Sequence, residues 1–445
     1  MSQLEHNRIS GRSAREIVAS VEGSIRRGRL APGARLPTVR ALADDLDVSP
    51  ATVAAAFRDL RVRGLVSGDG RRGTRVVPTP PLVGRPEAPV PAGVRDLSVG
   101  HPDARLLPRL RPLARLAGAA SRNYEAGGDD AGLLAAARAQ LAADHIPTDH
   151  LAVVGGALDG VERVLAAHLR PADRVAVEDP GFSPVFDLLR ALGLRSVPVD
   201  VDDHGPRPDA LSRAITKGVD ALIFTPRAQN PTGAALDDER ARALRRVLRS
   251  APDLLVIEDD HAGPVAGAAA HTLATLSRAR WAVVRSVSKS LGPDLRLAVL
   301  AGDEVTVSRV AGRQSLGTGW VSTILQRLVA DLWDDPSTMR LVDKAAAAYT
   351  ARRRDLVDAL AQHGISAVGH SGLNVWIPVP EEAAVVRGLR ESGWAVDAGE
   401  RYRLASPPAI RVTVASMAAA DAKAFAADLA RVLSGSGLGG RRVRT

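Results

Sequence analysis

The reading of this chain turns on the stretch WAVVRSVSKSLGPDLR, residues 281–296. WAVVRSV is an apolar run of strand length, and Gly292-Pro293 close the segment with a turn. Lys289 follows the run at its carboxyl end, the edge where α/β sheets hold ligands in a crevice. Hydroxyls and little charge surround this lysine, so its amine suits the work of a Schiff-base nucleophile. Arginine outnumbers lysine 55 to 4, which reads as codon bias and makes a single arginine uninformative. The other lysines have plain readings as solvated charges, Lys217 in a loop and Lys344 and Lys423 in Ala-rich helices.

Outward from this strand, β-branched runs near 151–154, 174–178, 195–199, 220–224, 254–258 and 296–301 alternate with amphipathic helices. The alternation predicts an α/β domain over 98–445 with a mostly parallel sheet. From about 345 to 435 the pattern becomes helix, strands and helix, a small C-terminal α+β lobe. Residues 77–97 hold six prolines and no period, a Pro-rich linker extending at ~3 Å per residue. With 445 residues, 45% apolar and 24% charged, the chain suits two or three folded domains and not a disordered polymer. No apolar run approaches the ~20 residues of a membrane span, so no membrane partner is expected. Charges from Glu5 to Glu22 leave no signal-peptide core, and the absence of cysteine fits a reducing cytoplasm. No metal site is expected.

The net charge of +9 is unevenly spread. Residues 1–80 hold 14 arginines against 8 acids, while the rest of the chain is nearly balanced. A polyanion partner for the first segment follows. Within 1–76, Ile17, Val18, Val21 and Ile25 mark one helix, and Val39, Leu42, Ala43 and Leu46 a second. Ser49 caps a third with Pro50 at its first position, and Val53, Phe57 and Leu60 face inward. A Gly/Arg-rich turn, GDGRRGT at 68–74, joins two short strands. Helices joined by a tight turn and followed by a basic hairpin are what reading a major groove requires.

The pattern LPTVRALADDLDVSPATVAAAFRDLRVRGLV (36–66) resembles the winged helix-turn-helix of the GntR family of bacterial regulators. The resemblance implies double-stranded operator DNA as partner, with contacts from Arg40, Ser49 and Thr52. Gly73 would let the wing approach the minor groove, and Arg71 and Arg72 add charge there. Pro50 stands where that family commonly has arginine. Ala51, Ala54 and Ala55 offer no hydrogen bonds, so base readout by the third helix is expected to be sparse.

Four further segments fall at strand ends: VGGALDGVERVL (154–165), EDPGF (178–182), TPRAQNPTG (225–233) and EDDHAG (258–263). With IRVTVAS (410–416) and Lys289 they resemble class I aminotransferases of fold type I. Joined to the winged helix they resemble the MocR subfamily of GntR regulators. That resemblance implies pyridoxal 5'-phosphate as cofactor, in Schiff-base linkage to Lys289. Asp259 would keep the ring nitrogen protonated, Asn230 and His261 would meet the ring hydroxyl, and Phe182 would stack on the ring. Gly155, Gly156 and Ala157 at a helix start would bind the phosphate with Ser286 and Arg296. Tyr124 of the partner subunit would reach the same phosphate, making each site part of a homodimer through the aminotransferase-like domain. Arg411 would pair with the carboxylate of a small-molecule effector.

The departures bear on function. His261 stands in place of a tyrosine, Phe182 replaces another, and Val154, Gly155, Leu158 and Asp159 replace hydroxyl and amide residues of the phosphate turn. Cofactor binding is expected, and efficient turnover is not. The leading expectation is a pyridoxal-phosphate-dependent, DNA-binding transcriptional regulator that senses the cofactor or an amino compound. A working aminotransferase carrying a DNA module, and a regulator whose large domain is a cofactor-free scaffold, are the alternatives.

Overall fold

The computed structural model describes residues 9–26, 29–31, 33–62, 65–68, 73–76, 90–110, 128–275 and 278–435. The chain falls into two compact units. In the N-terminal one, helices α1 (Ala14–Arg26), α2 (Val39–Leu46) and α3 (Pro50–Val62) enclose a core of Ile17, Val21, Leu42, Val53, Phe57 and Leu60. The Thr38 hydroxyl accepts the Ala41 N–H at 3.2 Å and starts α2. Asp47 ends it in the left-handed region at φ 52°. Ser49 Oγ then accepts the Thr52 N–H at 3.1 Å, the expected cap of α3. Strands β1 (Val66–Gly68) and β2 (Thr74–Val76) pair antiparallel as the wing. Residues 33–36 run along the other edge of β2, through Leu36 N–H to Thr74 O and Val76 N–H to Ala34 O, both 2.8 Å.

Beyond the wing the chain forms β3 (Arg95–Asp96) and α4 (Ala131–Ala143), followed by β4 (His150–Val154), α5 (Ala157–His168), β5 (Arg174–Asp179) and α6 (Ser183–Ala191). Next come β6 (Arg195–Asp202), β7 (Gly205–Pro206), α7 (Pro208–Thr216), β8 (Ala221–Phe224), α8 (Asp238–Leu248) and β9 (Leu255–Asp260). The chain continues through β10 (Trp281–Ser286), β11 (Ala298–Gly302), α9 (Glu304–Ser315), α10 (Thr323–Asp334) and the long α11 (Pro336–Gln362). It ends in β12 (Asn374–Pro378), α12 (Glu382–Glu391), β13 (Trp394–Ala395), β14 (Asp397–Ala398), β15 (Ala409–Thr413) and α13 (Ala419–Gly435).

Among the described residues the main sheet has eight strands in the order β4-β11-β10-β9-β8-β5-β6-β7. β5, β8, β9 and β10 run parallel and β11 is antiparallel to its neighbours, the mostly parallel sheet that the alternation predicts. Residues of these strands feed two apolar layers. Val283 and Val299 join Leu133, Leu141 and Tyr349 in one, while Leu222, Phe224 and Val256 join Leu211 and Leu244 in the other. No helix among the described residues is long and apolar enough to cross a membrane.

β12, β15 and β14 form the sheet of the smaller lobe, packed on α12, α13 and the second half of α11. Two boundaries differ from expectation. α11 starts at 336 and serves both cores, Tyr349 in one and Leu356 and Leu360 in the other, so the lobe has no sharp start at 345. The linker expected over 77–97 also ends sooner. β3 pairs with β13, Arg95 lies over the Trp394 ring and pairs with Asp421 at 3.0 Å, and Leu97 is buried in the lobe core. A two-residue strand has no period for sequence reading to detect. Residues 77–89 lie outside the described residues.

Helix α5 lies close on the sheet because Gly160 has no side chain. A Cβ there would stand 2.9 Å from Val284 Cγ1 and 3.1 Å from Val154 Cγ2. Gly160→Val is expected to cost ~1–3 kcal/mol by overpacking, seen as a lower melting temperature in calorimetry.

Candidate functional site

Three consecutive carboxylates, Glu258, Asp259 and Asp260, end β9, and all are buried. Side chains alternate along a strand, so the outer two share a face and Asp259 takes the other. Glu258 accepts the Thr272 hydroxyl at 2.9 Å and the N–H groups of Leu273 and Ala274 at 2.6 and 3.0 Å. Asp260 accepts Arg227 Nε and Nη2, both at 3.0 Å, and Arg285 Nε at 2.8 Å. Asp144 completes that charge cluster against both guanidinium groups. These arginines hold the Asp260 carboxyl well below the usual carboxylate range, despite its burial.

Asp259 has no such support: its Oδ1 is buried and has no hydrogen-bond partner. Burial and the neighbouring Asp260 charge push its carboxyl up to about 7, against a smaller opposing pull from Lys289. Lys289 sits in the turn after β10, its Nζ donating to the Gly100 carbonyl. Burial and the Arg411 charge bring this amine down to about 8. His261 is pushed down to about 4 by burial and by Lys289, so its imidazole is neutral at pH 7.

The turn into α5 is open. Gly156 takes φ 111° and caps the helix with no side-chain hydrogen bond, leaving N–H groups of the first turn without partners inside the helix. The Arg296 guanidinium lies 3.4 Å from where a Gly156 Cβ would stand, and Arg296 itself adopts φ 45°. The Gly155 N–H is taken by Asp159 Oδ2 at 2.8 Å, and Arg163 neutralises that carboxylate at 2.9 Å. Ser286 Oγ donates to Ser288 Oγ at 3.0 Å. Ser288 is a hydroxyl that sequence reasoning passed over, although it stands one residue before Lys289.

On the side of β15, Asn230 Oδ1 accepts Asn374 Nδ2 at 3.4 Å and Arg411 Nη1 at 3.2 Å, which leaves its own amide N–H groups to donate elsewhere. Phe182 is half-buried at the start of α6. Arg411 is 4% exposed, with the Tyr402 ring 4.8 Å from its guanidinium carbon and Asp397 Oδ2 3.4 Å from Nη2. Sequence reasoning missed both neighbours. Asp397 is 14 residues from Arg411 in sequence, and only the antiparallel register of β14 on β15 sets them opposite each other. The Asp179 carboxylate accepts the N–H groups of Leu404, Ala405 and Ser406 and the Ser406 hydroxyl, at 2.7 to 3.1 Å.

The arrangement fits a phosphorylated heterocyclic aldehyde. The unpartnered Asp259 Oδ1 suits a ring N–H, Lys289 an aldehyde, Asn230 a hydroxyl and the open turn with Arg296 a phosphate. In the N-terminal unit Arg40 is exposed on α2, and Ser49 and Thr52 hydrogen-bond each other at 2.9 Å. Gly73 takes φ 80°, and Arg35 Nε lies 3.0 Å from where its Cβ would be. Arg35 thus adds an unforeseen cation beside the wing. Tyr124, Arg71 and Arg72 lie outside the described residues.

Residues 13–76 match the GntR family of bacterial regulatory proteins, and residues 93–429 match the class I and II aminotransferases. The vitamin B6 salvage pathway transcriptional repressor PtsJ of Salmonella typhimurium is 38% identical over 96% of this chain and 100% of its own length. The chain belongs to the MocR-type regulators of the GntR family. A further relative is the HTH-type transcriptional regulator TauR of Rhodobacter capsulatus, 30% identical over 84% of this chain and 86% of its own. For the fold, kynurenine aminotransferase of Pyrococcus horikoshii, solved in complex with PMP, superposes with a TM-score of 0.70 at 18% identity. It covers 78% of this chain and 92% of its own. This MocR-type regulator therefore joins a GntR DNA-binding unit to a fold-type I aminotransferase fold.

The buried carboxyl of Asp259 makes a pH prediction. Between pH 3.8 and about 7 the folded chain keeps a proton there that the unfolded chain has released, so this contribution to stability falls as pH rises. Asp259→Asn removes the effect. Its melting temperature is expected to rise relative to wild type across that window and to hold a constant offset above it, measured without cofactor.

Proposed function

We propose that this regulator binds pyridoxal 5'-phosphate on Lys289, and that the state of this pocket sets how the N-terminal unit engages operator DNA. The observation that carries the reading is the buried, unpartnered Asp259 Oδ1, facing the same pocket as an amine brought down to about 8. An unsatisfied buried carboxyl is costly in a structural role and is explained by a ring N–H. The Salmonella relative, a vitamin B6 salvage pathway repressor by name, supports the same ligand class. The effector is the cofactor itself or an amino compound. The cytoplasm is the compartment in which such a regulator meets DNA, and a homodimer sharing Tyr124 of the partner subunit completes the phosphate site.

The chain's own contacts suggest the route of coupling. A ligand that takes Lys289 releases the Gly100 carbonyl, four residues beyond β3, on the segment that leads back toward the DNA-binding unit. The coupling must appear as a difference in DNA affinity between two states, typically worth ~1–3 kcal/mol. Bound cofactor supplies an electron sink, which also underlies transamination, so a catalytic reading rests on Lys289 as well. Regulation without turnover is the form proposed: amino acids are expected to leave the bound pyridoxal unconverted to its pyridoxamine form.

Purified protein mixed with pyridoxal phosphate is expected to show the visible absorbance of a lysine-linked pyridoxal, and Lys289→Ala to lose it. Fluorescence anisotropy on operator DNA should then change with cofactor in wild type and not in the variant. Equal DNA affinity with and without cofactor would sink the sensing reading. Arg40→Ala is expected to weaken binding on all sequences alike and to lower the salt slope by ~1, the mark of one lost phosphate contact.

A further inference from the structure

We infer that Asp397 closes Arg411 to the carboxylate of an amino acid, and that the pocket selects ligands with no carboxylate beside the reacting carbon. The ligand class is an aldehyde such as pyridoxal phosphate, or a simple amine. The inference rests on reading the Lys289 pocket as a pyridoxal phosphate site, and it adds which compounds that site admits.

The donors of Arg411 carry the argument. A guanidinium grips a carboxylate in parallel through one of two forks, Nη1 with Nη2 or Nε with Nη2. Both forks need Nη2. Here Nη2 donates to the Ser98 carbonyl and faces Asp397 Oδ2 at 3.4 Å, which uses both of its hydrogens. Nη1 donates to Asn230 Oδ1 at 3.2 Å, and Gly100 stands so near that a Cβ there would be 3.5 Å from Nη1. Only Nε is buried without a partner, and one N–H makes no fork.

The blocking carboxylate is held in place. Tyr402 donates its hydroxyl to Asp397 Oδ2 at 2.6 Å while its ring covers the guanidinium face. Asp397 lies directly across from Arg411 in the register of β14 on β15, so strand pairing fixes the distance. Arg401 meets the other oxygen, Oδ1, at 3.5 Å from a half-exposed position where water screens it. A ligand carboxylate would therefore meet a buried arginine already neutralised by one anion, and a second anion beside it is repelled in a site that excludes water.

The test compares ethylamine with L-alanine, which share an amine and differ in the carboxylate. Each is titrated into full-length protein loaded with pyridoxal phosphate, and binding is followed by the absorbance change. Wild type is expected to bind ethylamine about tenfold more tightly than L-alanine, because the ligand carboxylate meets the anion already held on Arg411. Asp397→Asn, and Asp397→Ala as a second variant, should tighten L-alanine by about tenfold and leave ethylamine unchanged, a shift of ~1.4 kcal/mol. Wild type that binds L-alanine as tightly as ethylamine or more tightly, with that affinity lost in Arg411→Leu, overturns the inference. Wild type with no cofactor absorbance overturns the pyridoxal phosphate reading alone. The inference is then decided on cofactor-free protein by melting in acetate against chloride at equal ionic strength. Acetate should raise the melting temperature of Asp397→Ala and not of wild type, and a rise in wild type that Arg411→Leu abolishes counts against it.

Discussion

The pocket depends on how one strand end disposes of three adjacent carboxylates. Burying an unpaired carboxylate costs several kcal/mol, and β9 buries Glu258, Asp259 and Asp260 together. Backbone N–H groups satisfy Glu258, and two guanidinium groups satisfy Asp260. Asp259 is left to hold a proton or to meet something that donates one. The strand's alternation permits this by sending the satisfied pair one way and the open carboxyl the other. The Arg227, Arg285 and Asp144 cluster is thus more than packing. It anchors the strand end, and the fixed charge of Asp260 is part of what raises Asp259.

Much of this was legible in the residues. Seven β-branched runs bounded by turn signals mark strands in the sequence, and a strand stands at each. Lys289, Asp259, Asn230, Arg296 and the open turn at Gly155–Ala157 were read from strand-end position together with a family resemblance, and the fold gathers them at the carboxyl ends of the sheet. What escaped has a common cause. β3 is too short to show a period, Asp397 meets Arg411 through strand register, and Arg35 joins the wing through hydrogen bonds of residues 33–36 to β2. Each belongs to pairing between distant segments, which local pattern does not encode.

The altered phosphate turn shows how departures can offset one another. The turn lacks side-chain donors at Val154, Gly155 and Leu158, while the Ser286 and Ser288 hydroxyls hydrogen-bond each other and the Arg296 guanidinium lies against Gly156. Asp159 brings a negative charge to the turn, yet Arg163 one helical turn later neutralises it, and its carboxylate serves the Gly155 N–H. The turn keeps an open backbone at Gly156 with its one carboxylate neutralised.

Asp179 has a consequence for how the pocket moves. Its four hydrogen bonds fasten residues 404–406 to the end of β5, and the Gly181 N–H adds a fifth tie to the Tyr402 carbonyl at 2.7 Å. Hydrogen bonds to a charged group are worth ~1.5–3 kcal/mol each, so swinging the two apart would forfeit most of them at once. Phe182 and Tyr402, on opposite sides of this seam, thus travel as one body. Any movement of the smaller lobe over the pocket therefore carries the end of β5 with it and pivots elsewhere than along this seam.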